Sequence, residues 1–137
     1  MPDMFRKAQY FKVETPDKPG EFARSLQVLR EAGVDLLAFK GFPRQRRDQL
    51  DFVPSDPTAF KSAARRAKWT IKGPKICFLV EGDDRPGATA DILARLAETK
   101  INVTATDAVT AGAGRFGAIL WVKPRDVKRA ARALGIG

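Results

Sequence analysis

Two short stretches of the chain hold the residue types needed to grip a small zwitterion. Asp17, Lys18, Pro19, Gly20, Glu21 and Phe22 form one, and Asp84, Arg85, Pro86, Gly87, Ala88 and Thr89 form the other. In each, the proline fixes its own φ and holds the residue before it out of helix. The glycine that follows permits backbone angles, or a close approach, that a side chain would block. A helix starting just beyond it has unpaired N–H groups and the positive end of its dipole, which together receive a carboxylate. Asp17 or Asp84 stands near enough to hold an ammonium. The same residues also suit a plain strand-to-helix turn whose aspartate caps backbone amides.

Little else in the 137 residues offers chemistry. There is no histidine, which removes Ser-His and Cys-His nucleophilic pairs and the commonest metal ligand. Cys77 is the single cysteine, so no internal disulfide forms, and its place within a strand-like run marks an inert packed thiol. The carboxylates show no metal-ligand spacing. No enzyme, metal or cofactor is expected. Gly112, Gly114 and Gly117 spell GxGxxG, but FGAILWV after them reads as a strand where a dinucleotide fingerprint needs a helix, so they mark a hairpin tip.

The net charge of +9 gathers in clusters: Arg44, Arg46 and Arg47; Lys61, Arg65, Arg66 and Lys68; Arg125, Lys128, Arg129 and Arg132. They read as solvated faces. Nucleic-acid binding is the runner-up, because β-sheets can stack bases on exposed aromatics, but the Arg-Gly-Phe-type signature of RNA-recognition modules is missing. No apolar run reaches the roughly 18 residues that a bilayer needs, and MPDMFRKAQYFK is not a signal peptide, so a cytoplasmic protein is expected.

The elements that position the two turns repeat as well. Shifted by 67 positions, Asp17, Pro19, Gly20, Ala23, Leu26, Leu29 and Glu31 fall on Asp84, Pro86, Gly87, Ala90, Leu93, Leu96 and Glu98. Each copy reads as a strand (QYFKVE, ICFLVE), the turn, a helix, two strands joined by a hairpin tip, and a second helix. Gly33 and Lys100 stop the first helices, and Asp56 and Asp126 start the second ones. Lys68, Trp69, Thr70 and Ile71 supply a last strand to the first copy. Only Gly135, Ile136 and Gly137 remain for the second, whose last strand is vestigial or missing. The expected units are residues 8–72 and 75–137, with Gly73-Pro74 as linker. Alternation turns Cys77, Leu79, Ile119 and Trp121 away from the helices, where the first copy has Tyr10, Lys12, Gln49 and Asp51. That apolar half-sheet needs cover, and a homodimer is expected to supply it.

A strand, Asp-x-Pro-Gly, a helix, and then Val34-Asp35 or Ile101-Asn102 opening the next strand resembles the ACT family of amino-acid-sensing regulatory domains. Two copies in tandem resemble the regulatory ACT pair of aspartokinases, without a catalytic domain. The resemblance implies an α+β fold: two ferredoxin-like βαββαβ units side by side in one antiparallel sheet, with helices on one face. It also implies ligand binding where units meet, at residues 17–22 and 84–89 and at the following strand starts, Asp35 with Leu36 and Asn102 with Val103. The family's asparagine is present only as Asn102. The function implied is a free-standing, non-enzymatic regulatory protein that binds an amino acid or related metabolite and signals to a protein partner. The alternatives are a basic nucleic-acid-binding module or a pure protein-interaction module.

Overall fold

Strand β1 (Met4–Pro16) is longer than the sequence alone predicts, and its length is how both repeats complete their sheets. The computed structural model describes residues 3–136, so Gly137 of the second expected unit lies outside the described residues. After β1 come α1 (Glu21–Glu31), β2 (Leu36–Arg44), β3 (Arg47–Pro54), α2 (Pro57–Arg66), β4 (Ile71–Asp83), α3 (Ala88–Glu98), β5 (Val103–Gly112), β6 (Arg115–Val122), a 3-10 turn (Pro124–Asp126) and α4 (Val127–Ala133). Hydrogen bonding orders the strands β2-β3-β1-β4-β6-β5, an α+β fold of two ferredoxin-like units. One unit is Gln9–Lys75; the other joins the residues before Gln9 to the chain from Ile76 onward. Each therefore holds part of β1 and part of β4.

In the first unit, period-two alternation puts Phe11 opposite Phe52 and Val13 opposite Leu50 on the face that meets α1 and α2. Phe60 of α2 stacks on Phe11 at 4.9 Å between ring centroids, and Trp69 stacks on Phe52 at 5.8 Å. Burying each such ring stabilises the fold by about 1.5–3 kcal/mol. Asp56 caps α2 as expected, accepting hydrogen bonds from the N–H groups of Thr58 and Ala59 at 3.1 and 3.2 Å. The last strand begins at Ile71 and runs on as β4, so Gly73 and Pro74, expected as a linker, lie inside a strand. A proline seldom sits within a strand because it has no N–H to give. Here Gly73 makes it workable: at φ 132, any Cβ would come within 2.8 Å of the Tyr10 carbonyl oxygen, so glycine permits β1 and β4 to approach.

The second unit is not short of a strand. Residues 4–8 of β1 lie against β4, Phe5 packs on the core of Phe78, Leu96, Phe116 and Leu120, and the Cys77 thiol donates to the Ala8 carbonyl at 3.6 Å. The guanidinium of Arg95 covers the Phe5 ring at 5.1 Å. The expected vestigial strand is thus corrected: the missing partner comes from the other end of the chain. MFRKA does not alternate, so periodicity starts the strand too late.

Three further expectations change or hold in detail. Asp126 does not cap α4 with its side chain; it accepts from Arg129 instead. Cys77 and Trp121, expected on an open apolar face, are buried within the chain at 0% and 5% exposure, while Leu79 and Ile119 are half-buried. The face therefore supplies no argument for a dimer. Gly112, Ala113 and Gly114 all take positive φ in the turn between β5 and β6, as a hairpin tip requires. Among the described residues, no helix is long and apolar enough to cross a membrane.

Candidate functional site

Both Pro-Gly turns have the backbone their sequence implies. Gly20 has φ 90 and Gly87 φ 80, each in the left-handed region at the N-terminus of a helix. A Cβ at either glycine would meet nothing within 4 Å, so conformation and not crowding demands the residue. Among the described residues, no side chain caps either helix, so neither Asp17 nor Asp84 plays the capping role open to it. In the first turn Arg24 N–H reaches the Gly20 carbonyl at 2.9 Å and Glu21 N–H reaches Lys18 at 3.4 Å. Among the described residues, the N–H groups of Phe22 and Ala23 have no acceptor. In the second, the same holds for Thr89 and Ala90.

The two turns differ in electrostatics. β1 and β3 place Thr15 opposite Asp48, which brings Asp48 beside exposed Asp17 at the end of β1. Burial pushes the Asp48 carboxyl above the usual range, and the charge of Asp17, a hydrogen bond with Asp17 and the charge of Glu21 push it the same way. Glu21 is itself buried and is paired with Arg24 and, at 3.7 Å, with Lys18. The first turn thus holds two crowded carboxyls next to open N–H donors. At the second turn Arg85 is occupied, pairing with Asp3 at 3.3 Å and with Asp91 at 3.6 Å. Its guanidinium pKa is raised, first by the hydrogen bond to Asp3. The Asp84 N–H is also bound, to Gly114 at 2.8 Å. The second turn is pinned where the first is open.

The expected strand-start residues do not join the turns. Asp35 is exposed, and its carbonyl accepts from the N–H and hydroxyl of Ser55 at 3.0 and 3.2 Å. With Leu36 it borders a shallow groove of about 400 Å³ formed by Leu26, Leu29, Arg30, Gly33 and Val34. Asn102 is exposed just before β5. Since α1 and α3 each have 11 residues, turn and strand start lie about 16 Å apart at opposite helix ends. Of the other expected residues, Phe22 meets Phe39 edge-on at 6.2 Å, Leu36 packs on the first core, and Ala88 and Val103 belong to the second. Their side chains serve the fold. Asp17, Lys18, Pro19 and Gly20, and likewise Asp84, Arg85, Pro86 and Gly87, are exposed, and Thr89 is half-buried. Asp48 was missed. Its sequence signal is a carboxylate in step with Leu50 and Phe52, on the face of β3 that should be apolar.

No protein-family model matches this chain, and no curated protein matches it. Solved structures do. The protein BT0572 from Bacteroides thetaiotaomicron superposes with a TM-score of 0.81 at 15% identity, covering 95% of this chain and 88% of that one. The ligand-free regulatory subunit of aspartate kinase from Thermus thermophilus superposes with a TM-score of 0.65 at 18% identity, covering 98% and 95%. A structure of aspartokinase alpha and beta subunits has the same TM-score, identity and coverage. The chain has the tandem ACT-type fold of those regulatory subunits, and no catalytic domain accompanies that fold in the 137 residues.

Proposed function

We propose that this tandem ACT-type chain is a non-catalytic regulatory protein whose first turn binds a free α-amino acid. The observation that carries the reading is the Asp17–Asp48 carboxyl pair beside the open N–H groups of Phe22 and Ala23. An ammonium relieves the crowding of the carboxyls, and a carboxylate fills the helix end. A helix N-terminus contributes only about 0.3–2 kcal/mol. Enclosure must add the rest, and a ligand this small then binds with a Kd of roughly micromolar to millimolar. Because a strand start lies one helix length from its own turn, a second copy in a homodimer brings Asp35 and Leu36, or Asn102 and Val103, to close the site. The pinned second turn, residues 84–89, is the weaker of the two. The occupied state is passed to a protein partner, in keeping with the fold shared with kinase regulatory subunits.

Calorimetry on the full chain against the common L-amino acids tests this reading. At least one should bind, and Asp17→Asn should weaken it while circular dichroism stays unchanged. Binding that is indifferent to Asp17→Asn, or no heat with any amino acid up to several millimolar, overturns it.

A further inference from the structure

The first unit carries a cleft of about 850 Å³ where the C-terminal end of β1, the end of the β2-β3 hairpin and the stretch from Lys68 into β4 converge. Its cations are Lys12, Arg44, Arg47, Lys68, Lys72 and Lys75, against two carboxylates, Glu14 and Asp48. Arg47 is matched by Glu14 at 3.8 Å. Arg44 is held by a relay, donating to the Gln49 side-chain oxygen at 3.0 Å while the Gln49 amide donates to Asp51 at 3.0 Å. Among the described residues, Lys12, Lys68, Lys72 and Lys75 form no ion pair. Fourfold positive charge therefore gathers in one recess, with the single Asp51 carboxylate as the counter-charge that Lys12 and Lys75 share.

Two details show that the recess is more than a solvated face. The Lys12 ammonium is pushed below its ordinary pKa, first by burial and then by the charge of Lys75, while Asp51 pulls the other way. A charge so placed costs stability unless an anion arrives. The second detail is how close the charges come: Lys75 approaches Lys12 closely enough for the two ammonium groups to repel, on the face of β1 turned away from Phe11 and Val13.

We propose that this cleft is a second binding site, for a small organic polyphosphate of nucleotide size, its phosphates on Lys12, Lys72 and Lys75. The volume falls within the roughly 300–1,000 Å³ usual for small-molecule sites. Several converging ammonium groups suit a ligand with several negative charges better than a lone carboxylate. The charges converge on a recess and do not run as a stripe, which favours a small molecule over a nucleic-acid strand. The site borders the amino-acid reading at Asp48, which lines the cleft, but its lysines are not among the groups that reading uses, and it draws on none of the open N–H donors of the first turn.

Calorimetry on the full chain at low salt, with ATP, inorganic pyrophosphate and a short single-stranded RNA as separate probes, tests the assignment. ATP should bind, pyrophosphate should compete with it, and added salt should weaken both. Removing two charge-assisted contacts in the Lys12→Gln/Lys75→Gln variant should cost about tenfold or more in affinity. If the double variant does not fold, the exposed change Lys72→Gln replaces it, with several-fold weakening expected. Absence of ATP and pyrophosphate binding to several millimolar, binding indifferent to the variants that fold, or RNA binding that ATP does not displace overturns the proposal. Amino-acid binding by Lys12→Gln/Lys75→Gln or Lys72→Gln should match wild type, which separates failure at one site from failure at the other.

Discussion

Replacing Gly20 by alanine probes the geometry on which the first turn depends. At φ 90 and ψ −12, an L-residue pays for the left-handed backbone, about 1–2 kcal/mol. A Cβ would meet no atom within 4 Å, so no clash adds to that cost. Alanine also restricts the unfolded chain, which offsets about 0.4–1 kcal/mol. The net loss is then about 1 kcal/mol, which lowers the melting temperature of a unit this size by about 4–8 °C. Denaturant midpoints of wild type and Gly20→Ala measure the loss, with the slope of the transition unchanged. D-alanine at the same position, installed by chemical ligation, prefers positive φ and should match or exceed glycine. Equal midpoints for Gly20→Ala and wild type, or D-alanine as costly as L-alanine, would refute the assignment of cost to backbone conformation. Because the Phe22 and Ala23 donors stay in place, Gly20→Ala should keep most of its amino-acid affinity wherever it is folded.

Asp48→Asn should raise stability at neutral pH. The folded Asp48 carboxyl titrates above 3.8, so the stability it contributes is full below 3.8 and is lost as pH rises through the folded value. The advantage of the variant in thermal melts should therefore shrink as pH falls towards 3.8, and a constant advantage would contradict the sign. The same variant should bind amino acids more weakly, so that stability and binding move in opposite directions. Phe5→Ala should cost less than the about 3–5 kcal/mol of a fully buried phenylalanine, because the ring is only partly buried. Hydrogen exchange should show the loss in β4, α3 and β6 first, and protection lost equally in α1 and α2 would contradict the division into units.

Local signals made most of the fold legible in the sequence. Apolar spacing located the helices, alternation located β3 and β6, Asp56 marked a helix start, and glycine before each first helix marked a positive φ that the structure contains. What stayed hidden depends on pairing between distant residues. Residues 4–8 have no alternation of their own and become strand only because β4 lies alongside them. Gly73 and Pro74 look like a linker until the Tyr10 carbonyl is placed against them. The candidate site was half legible. Asp17 and the helix N-terminus are adjacent in sequence, whereas Asp48 joins them only through the β1–β3 register. Lys12 and Lys75, 63 positions apart, meet for the same kind of reason.

The central claim, that the first turn reads both charges of an amino acid at once, is tested most directly with blocked ligands. Once the best-binding L-amino acid is known, calorimetry compares it with its N-acetyl derivative, which has no ammonium for Asp17 and Asp48, and with its α-amide, which has no carboxylate for Phe22 and Ala23. The account predicts that each derivative binds much more weakly than the parent, and that Asp17→Asn weakens the parent while leaving the N-acetyl form unaffected. A derivative that binds as tightly as the parent would contradict it.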